Sequence, residues 1–326
     1  MTCQTIRRVD AILSKINTHP EYSSCVAKEK RAFLRKNAQA HSVELENRAK
    51  KNGVEIQTPN QVVEIAASGL EEAWKYLAEH GVDIHSLSRL GNLVDPESNP
   101  NPGFRRGSEL NFGKFSAPES REIPGLIEGL VEFLDTTHYH PIIRASVAHS
   151  ELVRIHPYGD GNGRISRLLQ NFCLEERGYP SAIIPASDRE IYIKLLDPVF
   201  EKRNERENSI THLGHDDELF NEFIASKVLA SAESLNQELE HNRAYNVSLT
   251  KIKDPGVVQT VSRRIRGYGR RSTHGSVKVN VNKSRKSTKG AVLRVVGDIG
   301  LAEIQRELEM DSEKYGFRYE VKSIGC

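Results

Sequence analysis

The chain has few cysteines and no long apolar run, and both absences limit the class of protein it can be. Its 326 residues include four cysteines, Cys3, Cys25, Cys173 and Cys326, whose positions follow no metal-binding or disulfide spacing. Scattered cysteines are typical of a reducing cytosol. No apolar stretch is long enough to cross a bilayer, and the charged residues 1–8 do not begin a secretory signal. The sequence therefore predicts a cytoplasmic protein with no membrane partner.

A strong excess of one charge is also missing from the chain as a whole, but not from its parts. The formal net charge is +2. Residues 1–250 carry 29 Lys and Arg against 36 Asp and Glu, whereas residues 251–294 carry 13 Lys and Arg and a single acid, Asp254. A basic segment behind an acidic body indicates a separate C-terminal region with a partner of its own.

Helical spacing of apolar residues dominates the first 250 residues. Ile127, Leu130 and Leu134 form one such stripe, and Pro124 suits a first helical turn. The pattern predicts helices at approximately 5–16, 25–50, 60–80, 125–135, 143–156, 164–177, 188–204 and 217–240. The predicted fold class is therefore mainly α.

Two stretches depart from the helical pattern. Between Pro102 and Pro118, aromatic and polar residues are interleaved without a helical stripe, which favours a short hairpin or extended flap. Beyond Asn246 the sequence predicts a small α/β or β-rich appendage. Its strand-like pieces are residues 276–282, 291–296 and 315–323, and its helical segment is residues 301–308.

The segment from His156 to Arg167 gives the strongest indication of function. It reads His-Pro-Tyr-Gly-Asp-Gly-Asn-Gly-Arg-Ile-Ser-Arg and lies between two predicted helices. Gly161 and Gly163 let the backbone turn so that its N–H groups converge, and the helix that begins near Arg164 adds its positive end. This combination suits the phosphate chain of a nucleotide.

Four side chains around this loop indicate a reaction. Arg164 and Arg167 lie three residues apart on one helix, so both guanidinium groups can meet terminal phosphate oxygens. Asp160 offers a hard oxygen ligand that suits a magnesium ion bound to phosphates. His156 has an ordinary pKa near working pH and could take a proton from an attacking hydroxyl.

Each of these residues also has an ordinary structural interpretation. A histidine at a helix end is often a cap, an aspartate among glycines is often a turn former, and helical arginines are often solvated. A turn needs neither a base nor two arginines, so the combination favours a site. His138, His140 and His149 lack a matching carboxylate or cysteine cluster, and we expect them to be structural.

The segment closely resembles the signature of the Fic family, His-x-Phe-x-(Asp/Glu)-Gly-Asn-Gly-Arg-x-x-Arg. Tyr158 stands where the family usually has Phe, which adds a hydroxyl that needs a partner if it is buried. The run His140–Ala145 and His149 resemble the family's sequence ahead of the signature. The resemblance covers approximately residues 35–240.

This resemblance implies a Fic-type helical bundle with a β-hairpin flap that transfers AMP from ATP to a Ser, Thr or Tyr hydroxyl of a target protein, or of the chain itself. It implies that His156 is the base, Asp160 the magnesium ligand, and Asn162 with the loop backbone an anion hole. Arg164 and Arg167 would hold the outer phosphates. Phosphate transfer is the rival within the family, but its members depart from the Gly-Asn-Gly pattern that is intact here. The implied regions are an N-terminal helical region with an inhibitory helix (1–60), a Fic catalytic core (61–245) and a basic appendage (246–326).

Residues 42–47, Ser-Val-Glu-Leu-Glu-Asn, resemble the inhibitory motif (Ser/Thr)-x-x-x-Glu-(Gly/Asn) of one class of Fic proteins. A Glu46 carboxylate paired with Arg167 would occupy the guanidinium that the γ-phosphate needs. Ser42 and Glu46 satisfy the spacing, whereas Glu44 does not. The alternative is an ordinary surface glutamate on a charged helix. In some family members the same glutamate helps to remove AMP, so the reverse reaction is a further candidate.

Two more segments resemble binding sites of the family. Residues 104–115 resemble the flap that holds a target segment in extended form by strand addition. Tyr192 resembles a residue that borders the adenine site and is predicted to bind nucleotide, although Ile193 stands where a second Tyr is usual. Ordinary core packing explains Tyr192 equally well.

The basic segment 251–294 supports a second hypothesis of a different class. Arg263–Arg271 has the charge and flexibility expected of a polyanion-binding segment, and Tyr268 is its one interleaved aromatic. The alternative function is a nucleic-acid-associated regulator whose core senses nucleotide, and the plain alternative is a solvated linker. The family resemblance also suggests a homodimer.

Overall fold

A computed structural model defines the fold of most of the chain. It describes residues 2–18, 25–47, 60–107, 111–112, 115–205, 210, 213–241, 243–254, 256–271, 277–282, 290–297, 299 and 301–323. Within these ranges the protein is mainly α with small antiparallel sheets, which confirms the predicted fold class. The chain packs into two compact units, Met1–Asp10 with Phe33–Ala232, and Ala11–Ala32 with Glu233–Cys326. The three functional regions inferred from the sequence stay a prediction.

Nine helices precede the C-terminal sheet among the described residues. They are α1 (Thr2–Thr18), α2 (Cys25–Asn47), α3 (Asn60–His80), α4 (Ile84–Val94), α5 (Ile123–Thr136), α6 (Pro141–Ile155), α7 (Asn162–Glu176), α8 (Arg189–Glu205) and α9 (His215–His241). Eight of them were predicted to within a few residues, apart from residues 48–50 of the second predicted helix, which lie outside the described part. Helix α4 was missed.

Helix α4 is short but has clear local causes. The Asp83 side chain accepts a hydrogen bond from the backbone N–H of Ser86 at 2.6 Å and so caps the first turn. Leu87, Leu90 and Val94 follow at helical spacing and are buried. The sequence therefore carried the signal for this helix, although it spans only three turns.

Helices α6 and α7 form the centre of the first unit. Leu152 and Ile155 of α6 and Ile165 and Leu169 of α7 have no exposed surface. Helix α6 ends at Ile155, as the following X-Pro step predicts, because Pro157 disfavours helical geometry at His156. The six residues between the two helices therefore form a loop held at both ends by buried helices.

A cluster of buried charges fixes α8 against α6 and α9. Glu151 of α6 accepts hydrogen bonds from Arg154 and from Arg203 of α8, and Arg203 also donates to Asp217 of α9 at 2.7 Å. All four side chains are at most 4% exposed. Removing one member would leave a buried charge uncompensated, which is strongly destabilising. The cluster therefore fixes the position of α8, the helix that carries Tyr192.

The flap predicted between Pro102 and Pro118 is a short hairpin. Strands β1 (Asn111–Phe112) and β2 (Phe115–Ser116) pair antiparallel. Residues 108–110 and 113–114 of the predicted flap lie outside the described part of the chain. The hairpin itself is confirmed, and its use as a target-binding strand stays a prediction.

The second unit contains a four-stranded antiparallel sheet with two further helices. The elements are β3 (Arg243–Thr250), α10 (Gly256–Arg271), β4 (Lys278–Asn282), β5 (Gly290–Gly297), α11 (Leu301–Tyr315) and β6 (Arg318–Ser323), and the strand order is β4-β5-β3-β6. This order of elements and strands is the split βαβ topology of ferredoxin-like folds. The predicted α/β appendage is confirmed. None of the described helices has an apolar stretch long enough to span a bilayer.

The expectation that Arg263–Arg271 is a flexible segment is wrong, because these residues belong to α10. Val257, Val261 and Ile265 recur at helical spacing and are buried in the core that α10 and α11 share with the sheet. Burying an aliphatic side chain contributes roughly 1.5–3 kcal/mol, which outweighs the weak helix propensity of the two glycines further along α10. The basic residues thus lie on an ordered, amphipathic helix.

Candidate active site

The loop between α6 and α7 carries the predicted motif and is tied to the flap. His156 adopts the left-handed conformation, with φ 51° and ψ 56°, as the first residue after α6. Its carbonyl accepts a hydrogen bond from Arg105 Nε at 2.8 Å, and the Arg105 N–H donates to the Pro157 carbonyl at 2.8 Å. Arg105 also donates to the Pro118 carbonyl. One arginine therefore joins both ends of the flap segment to the loop.

The His156 ring has the form that a general base requires. Its Nδ1 lies 3.2 Å from the Val153 carbonyl, an acceptor, so Nδ1 carries the proton and Nε2 the lone pair. Desolvation lowers the pKa of His156, the Val153 hydrogen bond opposes this, and the Arg105 charge lowers it further, so that the pKa lies below its ordinary value. The ring is neutral near pH 7 and can accept a proton.

Asn162 closes the loop upon itself. Its Oδ1 accepts from the Tyr158 N–H and its Nδ2 donates to the Tyr158 carbonyl, both at 2.9 Å. The Tyr158 ring is fully buried, and its hydroxyl donates to the Leu87 carbonyl at 2.6 Å. The extra hydroxyl of Tyr158 therefore has its partner. Because the Asn162 amide is engaged with the loop, its predicted part in an anion hole would come from its backbone.

Two residues just beyond α4, which the sequence did not single out, hold the other side of the loop. Asn99 accepts from the Gly159 N–H at 2.8 Å and donates to the Asp160 carbonyl at 3.2 Å. Asp95 accepts from Arg164 at 2.6 Å. Desolvation raises the pKa of Asp95, but the hydrogen bonds from Arg164 and from the Ser98 N–H, together with the Arg164 charge, outweigh it, so the pKa lies below its ordinary value. The buried stripe of α4 was the only sequence signal for these contacts.

Asp160 is placed where a metal bound to phosphates could reach it. Its side chain is 69% exposed, Oδ1 accepts from the Gly161 N–H at 2.5 Å, and Oδ2 lies 3.8 Å from Arg164. Gly161, with φ 85°, needs the left-handed conformation that glycine adopts without strain. The described residues contain no group of three His, Cys, Asp or Glu suited to a metal. A single carboxylate completed by phosphates and waters is a common magnesium arrangement, so Asp160 fits that ion.

Arg167 projects from α7 into contact with α2. Its Nε donates to Ser42 Oγ at 2.8 Å, and its NH2 group donates to the Ser42 carbonyl at 3.1 Å and to Glu46 Oε1 at 2.6 Å. The Arg167 side chain is 4% exposed and that of Glu46 is 44% exposed. The structure thus brings together Glu46 and Arg167, the two residues expected to pair, and adds Ser42 of the same motif as a second partner of Arg167.

The electrostatics of this pair favour both charged forms. Desolvation raises the pKa of Glu46, but the charge and hydrogen bond of Arg167 outweigh it, and the pKa lies below its ordinary value. Desolvation lowers the pKa of Arg167, but the Glu46 charge outweighs this effect, so the pKa lies above its ordinary value. A Cβ on Gly163 would lie 2.2 Å from Glu46 Oε1, so any larger residue there would displace this carboxylate from its present position.

A cavity of about 420 Å³ opens beside these groups. Its walls are Leu45, Glu46, Val153, His156, Gly163, Arg167, Arg189, Tyr192, Ile193, Leu196, Asp197 and Phe200. Tyr192 is 5% exposed, so the ring lies in the wall of the cavity. Its hydroxyl lies 2.8 Å from His149 Nε2 and 3.5 Å from Arg167. Both sequence interpretations of Tyr192, pocket residue and packed residue, are compatible with this position.

A helix N-terminus, a neutral histidine and a buried arginine around one cavity are a combination that suits a phosphate-containing ligand. The model of the Fic/DOC family matches residues 76–174. The match covers the loop between α6 and α7, all of α6 and most of α7.

Similar proteins agree with this match. The chain is 36% identical over 172 residues to "Protein adenylyltransferase Fic" of Drosophila virilis and 33% identical over 169 residues to that of Drosophila melanogaster. Each match covers 49% of this chain and 33% of the relative. The chain thus matches about a third of the length of these relatives.

Solved structures share the fold. A Fic domain containing signaling protein from Bacteroides thetaiotaomicron has a TM-score of 0.58 at 19% identity, over 72% of this chain and 97% of the other. Fic-1 from C. elegans has a TM-score of 0.56 at 21% identity, over 72% of this chain and 71% of the other. A Fic family protein from Desulfovibrio desulfuricans has a TM-score of 0.54 at 14% identity, over 100% and 97%.

Proposed function

We propose that this chain transfers AMP from ATP to a hydroxyl side chain of a protein, and that Glu46 holds the reaction back. The observation that carries the proposal is that His156, Gly163 and Arg167 line one cavity, in which the Arg167 NH2 group donates a hydrogen bond to Glu46 Oε1 at 2.6 Å. The name of the Drosophila relatives, protein adenylyltransferase Fic, supports the reaction class. The target protein, assembly as a homodimer and a cytoplasmic location stay predictions.

The chain's own residues supply most of the chemistry of this reaction. The target hydroxyl oxygen bonds to the α-phosphorus while its proton moves to Nε2 of His156. The bond from the α-phosphorus to the bridging oxygen breaks, and pyrophosphate leaves. The start of α7 and the guanidinium groups of Arg164 and Arg167 meet the negative charge. Asp160 would hold a magnesium ion, which neutralises phosphate charge when bound.

The Glu46–Arg167 pair opposes the productive position of ATP. Arg167 has one guanidinium, and Glu46 occupies the NH2 group that the proposal assigns to the γ-phosphate. A hydrogen-bonded charge pair of this kind is costly to separate, because Arg167 would be left buried without its counter-charge. ATP could then bind only with its outer phosphates displaced.

Labelling of protein with α-³²P-ATP and magnesium tests the proposal. We compare wild type, Glu46→Gly and Glu46→Gly with His156→Ala, and expect several-fold more label in Glu46→Gly than in the other two. Equal labelling of wild type and Glu46→Gly would contradict inhibition, and label that persists without His156 would contradict the base. Removal of AMP, the reverse candidate, is tested by adding wild-type chain to labelled protein.

A second candidate function concerns the C-terminal unit. Asn280, Arg294, Asn246 and Lys322 are successive cross-strand neighbours, and we call them the polar row. They alternate with buried residues that face the core, and Arg294 Nε has no hydrogen-bond partner among the described residues. Lys322 of the polar row pairs with Glu320 at 3.0 Å. The polar row lies on the face of the sheet opposite α10, whereas the exposed Arg263 lies on α10 itself, so each favours binding of a polyanion such as nucleic acid at a separate place. Residues 255, 272–276 and 283–289 of the predicted segment lie outside the described part.

A further inference from the structure

A chain of buried hydrogen bonds leads from the backbone of Ala182 towards Arg167. The Ala182 N–H donates to Asn171 Oδ1 at 2.8 Å, and the Asn171 amide donates to the Ala182 carbonyl at 3.2 Å. The orientation of the Asn171 amide is therefore fixed by a peptide group. Its Oδ1 also accepts from Gln170 Nε2 at 3.4 Å, which leaves the Gln170 carbonyl oxygen to accept on its other side.

His149 continues this chain as a neutral ring. Gln170 Oε1 lies 2.6 Å from His149 Nδ1, and since this oxygen can only accept, Nδ1 carries the proton. Desolvation lowers the pKa of His149 to about 3, and the nearby Arg167 charge acts in the same direction. A neutral ring has one N–H, so Nε2 is an acceptor for the Tyr192 hydroxyl at 2.8 Å.

The direction of the hydrogen bond from Tyr192 to His149 makes the Tyr192 hydroxyl oxygen an acceptor for Arg167. Because the Tyr192 proton points to His149, the hydroxyl oxygen presents lone pairs to the Arg167 NH1 group at 3.5 Å. Phe220 contacts both rings, with centroids 5.4 Å from His149 and 6.3 Å from Tyr192. His149 has no exposed surface and Tyr192 is 5% exposed, so both partners of this hydrogen bond are buried.

Tyr192 lies on a different helix from the other described partners of Arg167. The Nε and NH2 groups of Arg167 are bonded to Ser42 and Glu46, both on α2. NH1 is bonded to Tyr192 on α8, a helix fixed by the buried charge cluster. The Tyr192 contact does not depend on α2, so it can persist when Glu46 is withdrawn.

We propose that Tyr192, through its hydrogen bond to His149, positions the Arg167 guanidinium for the terminal phosphate of the nucleotide once Glu46 is withdrawn. Tyr192, His149 and Gln170 are then positioning residues. This inference rests on the proposed function, because it takes the outer phosphate as the partner of Arg167. It also gives His149 a role beyond the structural one expected from the sequence.

Calorimetric binding of ATP and of ADP, both with magnesium, tests the inference. All variants carry Glu46→Gly, and adding Arg167→Ala measures what Arg167 contributes to the preference for ATP over ADP. Adding Tyr192→Phe, which keeps the ring, should weaken the binding of ATP by about three- to tenfold and leave the affinity for ADP unchanged. Tyr179→Phe is the matched control, since it removes a partly buried hydroxyl bonded to Asp10, away from the site. Equal weakening of ATP and ADP by Tyr192→Phe, or no weakening, would overturn the inference.

Two further comparisons separate the possible failures. If Arg167→Ala leaves the ATP preference intact, the proposed phosphate role of Arg167 fails, and the inference fails with it. If Arg167→Ala removes the preference but Tyr192→Phe does not, the inference alone fails. His149→Leu should reduce the preference for ATP over ADP when it is added to Glu46→Gly alone. It should reduce that preference little further when Tyr192→Phe is already present, because both changes remove the same hydrogen bond. Additive losses would contradict action through Tyr192.

Discussion

At the scale of single residues, His156 has the charge state that proton removal needs. Desolvation and the Arg105 charge lower its pKa, while the charges of Glu46 and Asp160 raise it. Removing Glu46 should therefore lower the pKa of His156 further. A lower pKa extends the neutral, proton-accepting form to more acidic solutions.

The pH dependence of AMP transfer by Glu46→Gly should follow from this. We expect the rate to be constant near pH 7 and to fall only as pH decreases through a His156 pKa below its ordinary value of about 6.5. Initial labelling rates between about pH 5 and about pH 8 measure this, with ATP affinity followed over the same range as the control. A rate that falls as pH rises through this range would contradict a neutral base.

At the scale of elements, α2 is held on the core by contacts remote from Glu46. The Arg35 guanidinium lies 4.8 Å from the centre of the Trp74 ring and 3.2 Å from Glu175. Leu34 and Ala38 of the same helix are buried. These contacts lie two to three turns before Glu46, so they set how firmly the helix presents its carboxylate.

Arg35→Met should therefore release part of the inhibition while leaving Glu46 in the chain. It removes a cation–π contact and a partly exposed ion pair, each worth about 1 kcal/mol or less, so we expect about two- to fivefold more labelling than wild type. Lys36→Met, at an exposed position of the same helix, is the control. Labelling unchanged from wild type in Arg35→Met would show that these contacts do not govern the inhibitory pair.

At the scale of the whole molecule, charge is separated between the body of the chain and its C-terminal region. The net charge of +2 conceals a basic segment, residues 251–294, that follows a region, residues 1–250, in which Asp and Glu outnumber Lys and Arg by 36 to 29. In the second unit, α10 and the polar row present part of this charge on ordered elements. An ordered basic surface binds polyanions through phosphate contacts that release counterions.

Retention of the full chain on heparin and on DNA should accordingly fall steeply with salt. Arg263→Gln and Arg294→Gln should each reduce the slope of log affinity against log salt by about one. Arg306→Gln, an exposed site on the acidic helix α11, is the control. A slope that is the same for all four proteins would exclude Arg263 and Arg294 from a polyanion surface.

Local patterns account for most of what the sequence determined. Eight helices, the flap hairpin and the loop between α6 and α7 follow from apolar spacing, X-Pro steps and glycines, because these act between residues that are close in the chain. The helix at Gly256–Arg271 was missed because its high charge indicated a flexible segment, although Val257, Val261 and Ile265 follow the spacing of a buried helical stripe.

The tertiary structure decided which distant side chains meet. Asn99 reaches the loop across about 60 residues of chain, Asp95 reaches Arg164 across 69, and Glu46 reaches Arg167 across 121. The hydrogen bonds from Ala182 to Tyr192 could not be predicted, since their direction depends on a backbone N–H, an amide and a buried imidazole meeting in one core. The sequence alone determined the loop and its chemical groups. Packing of α2, α4 and α8 around that loop decided how those groups are oriented, because long-range contacts form only when buried faces close together.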